Sequence, residues 1–151
     1  MNFFLEYKND IAALLARGVL GILFLFQGYD KIFGIGLKRT EAGMEAAMEQ
    51  TRLPHPLVKA MTAISSVMEF AGGILLIAGL WIYPSLTVLA ADLLIVTFGM
   101  SLRESLWDMR FVWPRLALVL FLLVIPQSWD RISTDHFLHT YGNIQPIAGH
   151  E

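Results

Sequence analysis

The chain of 151 residues contains no cysteine. This absence excludes disulfide bonds, cysteine-ligated zinc, iron–sulfur clusters and redox chemistry at a thiol. Charged side chains are also scarce, at 16% of the residues, whereas a soluble domain has about 25%. The formal net charge is -2, which gives no basic surface for a nucleic acid. Nucleic acid is therefore not expected as a partner.

Apolar residues are abundant instead, at 56% of the chain, with a mean hydropathy of +0.57. They form long segments, and about 20 helical residues cross a hydrocarbon core of about 30 Å. The sequence therefore predicts an all-α fold, an integral membrane four-helix bundle with one short amphipathic surface helix. The crossings are predicted at residues 11–33, 58–82, 84–103 and 111–128, with Tyr83-Pro84-Ser85 as the break between the second and third.

The alternative to a membrane protein is a soluble bundle of buried helices. Two consecutive apolar segments joined by so short a break, with one charge in each, argue against that alternative. The first apolar segment is too long for a signal peptide and has no clear cleavage site, so we expect it to be retained. Lys and Arg are concentrated in the two loops that follow the first and third crossings. The positive-inside rule puts these loops in the cytoplasm and both termini outside.

Residues 40–52 alternate alanine and methionine with glutamate. This pattern predicts the amphipathic surface helix, with Thr40 as its N-cap. Residues 1–128 are predicted to form the transmembrane domain, and residues 129–151 a polar C-terminal tail that is a loop. His136 and His139 have the spacing H-x-x-H, but no acidic partner shares a helix face with them. No metal site is predicted.

Four ionisable residues interrupt the apolar segments: Arg17, Glu69, Asp92 and Arg115. A lone charge at this depth is costly, so such residues pair with one another or line a cavity. Counting 1.5 Å per residue from the helix ends predicts that Arg17 pairs with Asp92. The same count pairs Glu69 with Arg115 or Lys31.

Glu69 and Arg17 are the candidate catalytic residues, because ionisable residues inside a membrane are usually functional. The alternative is that the pairs only hold the helices in register. Small residues follow Glu69 at Ala71, Gly72 and Gly73, which leaves room for a ligand or for a neighbouring helix. We expect a basic residue to be hydrogen-bonded to Glu69 and a cavity to adjoin it.

Two motifs resemble those of the DoxX family. The first has the pattern R-x-x-x-G-x-x-F-x-x-x-G-x-x-K and starts at Arg17. The second has the pattern E-x-x-G-G-x-x-L-x-x-G-L and starts at Glu69. Leu53-Pro54 before the second crossing is also typical of the family. The resemblance covers residues 11–102, and the two motifs together are fairly specific.

The resemblance implies a four-helix, multi-pass protein of the bacterial cytoplasmic (inner) membrane. Some relatives are linked to quinone-coupled oxidation, and others to oxidative stress or to quinone resistance. The positions that match the family residue by residue are Arg17, Gln27, Lys31 and Glu69.

The first functional hypothesis is a membrane subunit of a quinone-linked oxidoreductase or quinone/oxidative-stress system. Its polar intramembrane site contains Arg17, Glu69 and Asp92. The ligand-binding residues are Gln27, Lys31, Asp92 and Arg115. The chain carries no intrinsic cofactor, so quinone is the expected ligand. The expected partners are the lipid bilayer and either a protein that carries the redox cofactor or further copies of the chain.

The second hypothesis is a non-catalytic accessory or assembly subunit of a larger membrane complex. In that case the ion pairs fix the helix geometry, and the surface helix or the tail binds the partner. A small transporter is less favoured, because the sequence shows no inverted repeats or broken helices.

Overall fold

The computed structural model describes residues 2–104 and 109–141, and within these ranges the chain is helical with no β-strand. Two 3₁₀ turns, Met109–Phe111 and Gln127–Trp129, flank the fifth helix. The α-helices in chain order are α1 Asn2–Tyr29, α2 Leu37–Ala47, α3 His55–Ala78, α4 Ile82–Arg103, α5 Trp113–Val124 and α6 Thr134–Tyr141. A π-helical segment, Asp30–Gly34, continues α1.

Three segments are long and apolar enough to cross a membrane: Leu5–Gly34, His55–Ala78 and Ile82–Arg103. The fourth predicted crossing is shorter than expected, since α5 has 12 residues. At 1.5 Å per residue it spans about 18 Å, less than the hydrocarbon core of about 30 Å. Ile125 ends it in an extended conformation, because a residue before proline is disfavoured in a helix.

The break between α3 and α4 comes before the predicted Tyr83-Pro84-Ser85. Gly79 takes a left-handed conformation with φ 69°, which ends α3. The next helix then begins at Ile82, so that Pro84 lies within its first turn, where proline is well tolerated. The sequence prediction chose the proline as the break and overlooked the glycine.

Helices α1 and α3 pack with their backbones in close contact. Gly28 lies against the backbone of Phe70, and Gly73 lies against the backbone of Leu25. Glycine permits this approach because it has no Cβ. The space beside Glu69 is therefore filled by helices, as one of the two sequence alternatives predicted.

The surface helix α2 lies outside the crossings, as predicted, and packs on α3. It begins after Gly36, which has φ 91°. Thr40 is inside the helix, and its hydroxyl donates to the carbonyl oxygens of Lys31 at 3.0 Å and Gly36 at 3.2 Å. The prediction of Thr40 as N-cap is therefore wrong.

The C-terminal segment is not the predicted loop over residues 134–141. It forms α6, and the hydroxyl of Ser133 accepts a hydrogen bond from the backbone N–H of His136 at 3.2 Å. This is the bonding of a helix N-cap. The predicted domain limits at residue 128 remain a prediction, and residues 142–151 lie outside the described ranges.

We predict that Gly73→Ala destabilises the bundle. An added Cβ would meet the carbonyl oxygen of Gly21 at 2.7 Å, and overpacking of this kind costs about 1–3 kcal/mol. The matched control is Gly18→Ala, where the new Cβ meets nothing within 4 Å. Thermal unfolding in detergent should show a lower midpoint for Gly73→Ala alone. Equal midpoints would contradict the close packing.

We also predict that the docking of α2 on α3 weakens in acid. Glu45 accepts from Lys59 Nζ at 3.0 Å and from His55 Nδ1 at 2.8 Å. Lys59, followed by His55, holds the pKa of Glu45 below its ordinary value of 4.5. A carboxyl group whose pKa is lowered in the folded state stabilises that state at pH values above its ordinary pKa of 4.5. This stabilisation is lost as the pH falls through the folded-state pKa.

Hydrogen exchange of α2, corrected for the intrinsic pH dependence, should therefore accelerate only below pH 4.5. In Glu45→Gln this acid step should disappear, whereas the exposed Glu49→Gln should keep it. An acid step that is unchanged in Glu45→Gln would show that another group causes it.

Candidate functional site

Glu69 on α3 receives two hydrogen bonds from the end of α1. The side-chain amide of Gln27 donates to Oε1 at 2.6 Å, and Lys31 Nζ donates to Oε2 at 2.7 Å. The Glu69 side chain is only 1% exposed, and that of Lys31 is 21% exposed. The predicted basic partner of Glu69 is therefore confirmed as Lys31.

Lys31 lies in the π-helical segment that continues α1. Such segments are rare and occur often at functional sites. Tyr29 and Phe33 lie two residues before and after Lys31 in the sequence, and their ring centroids are 5.2 Å apart. The Phe33 ring also contacts Phe70 on α3, with the two centroids 5.6 Å apart. Tyr29 and Phe33 are exposed, so this aromatic cluster faces the apolar surroundings of the bundle.

Arg115 and Asp92 belong to the surroundings of the same carboxylate. Arg115 is partly buried, with its guanidinium carbon 5.8 Å from the centroid of the Phe24 ring, and it attracts Glu69 electrostatically. Asp92 is 1% exposed on α4 and acts on Glu69 with the opposite sign. These interactions bring five of the six predicted site residues into one polar interior: Glu69, Lys31, Gln27, Arg115 and Asp92.

Two buried polar atoms in this interior have no partner in hydrogen-bonding geometry, and they belong to neighbouring side chains that interact with each other. They are Oδ2 of Asp92 and the hydroxyl oxygen of Ser65 on α3, both of them buried. Buried polar atoms are nearly always hydrogen-bonded to protein, water or a ligand. The polar interior can therefore accept at least one further hydrogen-bonding group.

Arg17 lies apart from Glu69, and its predicted pairing with Asp92 is wrong. Its Nε is 3.3 Å from Oδ2 of Asp130. Its Nη1 donates to the carbonyl oxygen of Leu76 at 2.8 Å, and Nη2 donates to that of Ile132 at 3.3 Å. The last carbonyls of a helix lack backbone donors, so the end of α3 attracts this guanidinium.

The depth count placed Arg17 near the correct end of the bundle. It failed on the partner because the tail was assigned as a loop with no role in the bundle. The C-terminal segment also supplies Arg131, whose Nη2 is 2.8 Å from Oδ2 of the buried Asp10. The sequence signal was the presence of Asp130 and Arg131 directly after the last apolar segment.

The electrostatics at this end follow from burial and pairing. Burial raises the pKa of the Asp130 carboxyl above its ordinary value of 3.8, and the nearby Arg17 opposes that rise. The hydrogen bond to Asp10 raises the pKa of Arg131.

Asp135 stabilises the start of α4, since its two oxygens accept from the backbone N–H groups of Trp81 at 2.9 Å and Ile82 at 2.8 Å.

Two clefts in the described ranges lie away from Glu69, and neither of them is the cavity expected beside that residue. One cleft, of about 300 Å³, lies where α4 begins and α5 ends. The other, of about 260 Å³, lies on α2 beside Glu45 and His55. Within the same ranges, no group of three or more His, Cys, Asp or Glu side chains is arranged to hold a metal ion.

A family model, DoxX, matches residues 12–102 of this chain. The match covers more than half of the 151 residues, and the chain belongs to the DoxX family. The chain has no match among the curated proteins or among the solved structures. The family and the three long apolar helices identify a membrane protein.

We predict that Lys31→Met destabilises the bundle because it leaves the Glu69 carboxylate buried without its cation. Removing one partner of a buried pair costs about 3 kcal/mol or more. The control is Lys38→Met, since Lys38 is exposed on α2. Unfolding by a graded denaturing detergent measures the difference.

Adding Glu69→Gln to Lys31→Met should recover much of that stability, since the uncompensated charge is removed. The two substitutions should therefore be strongly non-additive. Additive losses would mean that the two side chains do not interact in the folded protein.

Proposed function

We propose that this DoxX-family protein is the membrane subunit of a quinone-linked oxidoreductase or quinone/oxidative-stress system. The observation that carries the proposal is the Glu69 carboxylate, buried at the α1–α3 contact with Lys31 and Gln27 bonded to it. Ionisable residues kept inside a membrane bundle are functional by default. The second DoxX motif also begins with this glutamate.

The residues present fit a quinone headgroup. Such a headgroup has two carbonyl oxygens and needs hydrogen-bond donors, which Lys31 and Gln27 provide. The buried polar atoms of Asp92 and Ser65 support the proposal, because a headgroup could also bond to them. The exposed rings of Tyr29 and Phe33 near Lys31 suit a flat apolar molecule that arrives from the bilayer.

The roles of the side chains follow from their chemistry. A bound quinone would supply the two-electron acceptor. Lys31 and Gln27 would orient it, and Glu69 would hold or release the proton that accompanies electron transfer. Arg115 and Asp92 adjust the electrostatic environment of Glu69. Arg17, which lies at the other end and is bonded to Asp130, serves structure in this proposal, although the sequence suggested a catalytic role.

The sequence has no cysteine and no haem-attachment motif, so a partner protein or a bound cofactor has to carry the electrons. We propose that a partner protein carries the redox cofactor, with homo-oligomerisation as the alternative association. The proposed location is the bacterial cytoplasmic (inner) membrane, with the chain crossing several times.

A second function, that of a non-catalytic accessory subunit, is favoured by one specific feature. Both oxygens of Glu69 already accept hydrogen bonds from α1, as in a purely structural link between two helices. Neither described cleft is lined by Glu69. In that function the pair would fix the geometry that a larger complex recognises.

Quinone binding to the purified protein in lipid nanodiscs separates the two functions. We expect the unmodified protein to bind a short-tailed benzoquinone, measured by calorimetry against empty nanodiscs. Glu69→Gln should weaken binding by about tenfold or more, because it removes the carboxylate that positions Lys31 and Gln27, and a hydrogen bond from a charged donor contributes about 1.5–3 kcal/mol. Glu49→Gln, at an exposed position in the turn after α2, is the matched control and should bind normally.

Helix content and size-exclusion elution of the two variants should equal those of the unmodified protein. If the unmodified protein binds no quinone, or if Glu69→Gln binds it equally well, the quinone site is not at Glu69. Retention of a stoichiometric partner by a folded Glu69→Gln protein, with that partner's activity unchanged, would support the accessory function.

A further inference from the structure

The cleft of about 300 Å³ at the start of α4 has no role in the site around Glu69. It lies at the end of the bundle that holds Asp10 and the C-terminal segment, where α3 and α4 meet the membrane surface. Its volume is at the lower end of the range of small-molecule sites, about 300–1,000 Å³. The size therefore suits a small ligand or one headgroup.

The walls of this cleft are apolar, with aromatic rings at the edge. Ile82 and Leu122 come from α4 and α5, and Pro126 follows α5. Trp81 and Tyr83 also line the cleft, and the Trp81 side chain is exposed. Trp and Tyr are typical of the membrane–water interface, so the cleft is placed to receive molecules with an apolar body and a polar end.

The polar part of the lining favours a positively charged group. The lining includes two carboxylates, those of Asp130 and Asp135, and two imidazoles, those of His136 and His139. None of the described lining residues is Lys or Arg. Arg17 is paired with Asp130 through Oδ2, at 3.3 Å from Nε. The other oxygen, Oδ1, is buried and has no hydrogen-bonding partner. A cation with N–H donors matches this set of acceptors.

The backbone holds Trp81 at the edge of the cleft in an unusual conformation. Trp81 is the only non-glycine residue with positive φ in the described ranges, at φ 50°. Such a conformation costs about 1–3 kcal/mol and persists only where neighbouring contacts impose it. Here Asp135 imposes it by accepting the N–H groups of Trp81 and Ile82. The Trp81 backbone is thus held at the edge of the cleft, which the residue lines and where its indole can contact a cation.

We propose that this cleft binds a primary ammonium group carried on an apolar or aromatic body. The carboxylate of Asp130 and the indole of Trp81 receive the ammonium, and the apolar walls receive the body. Two sources share this chemistry: a free amine, and the ethanolamine headgroup of a membrane lipid.

Three ligands of similar shape test the charge preference: phenethylammonium, neutral 2-phenylethanol and anionic 3-phenylpropanoate. Calorimetry uses the full chain in phosphatidylcholine nanodiscs, corrected with empty nanodiscs. We expect phenethylammonium to bind at least about tenfold more tightly than 2-phenylethanol, and 3-phenylpropanoate not to bind. Equal binding of the ammonium and the alcohol would overturn the proposal.

His139→Trp locates the site, because His139 is exposed and a larger ring there would fill the cleft without entering the core. This variant should lose ammonium binding. His55→Trp, the same change at an exposed histidine outside the cleft, should keep it. Asp130→Asn should weaken ammonium binding and leave 2-phenylethanol unaffected. If that variant fails to fold because Arg17 loses its partner, the two histidine variants decide the result.

Native mass spectrometry from nanodiscs of mixed phosphatidylethanolamine and phosphatidylcholine identifies the source. Selective retention of phosphatidylethanolamine that His139→Trp abolishes would assign the lipid headgroup. Binding of phenethylammonium without lipid retention would assign a free amine. Absence of both would refute the site, and it would leave the quinone proposal at Glu69 unaffected.

Discussion

The close contact of α1 with α3 is the constraint on which the rest of the structure depends. At Gly28 and Gly73 one helix reaches the backbone of the other, so neither helix can rotate about its axis without bringing a side chain into steric overlap with its neighbour. That fixed distance brings the end of α1 to Glu69 and lets both Gln27 and Lys31 reach its carboxylate. A polar contact inside a membrane is possible here because glycine removes the side chains between the helices.

Buried charges are neutralised by an ion pair in two places. At one end of the bundle Lys31 neutralises Glu69, and at the other Arg17 is balanced by Asp130. The two pairs differ in what surrounds them. The first adjoins buried polar atoms of Asp92 and Ser65. In the second, Arg17 donates to the carbonyl oxygen of Leu76 at the end of α3, while Oδ1 of Asp130 has no hydrogen-bonding partner. We therefore place the quinone chemistry at the first pair and assign a structural role to Arg17 in the second.

The sequence predicted the elements that depend on long-range hydropathy and the contact that depends on helix depth. The long crossings and the pairing of Glu69 with Lys31 are of this kind. It failed where a few residues decide the geometry. Gly79 ended α3 earlier than a proline-based boundary allowed, and Ser133 began a helix too short to show periodicity. The partner of Arg17 was missed for the same reason, since Asp130 lies in the segment that lacked a pattern.

The pairing of the first helix with the C-terminal segment has a consequence for how the chain is made. Asp10 and Arg17 enter the membrane early in synthesis, but their partners Arg131 and Asp130 lie more than a hundred residues later. Until those partners emerge from the ribosome, two charges at one end of α1 lack their native counterions. Completion of the last segment is therefore the step that locks this end of the bundle.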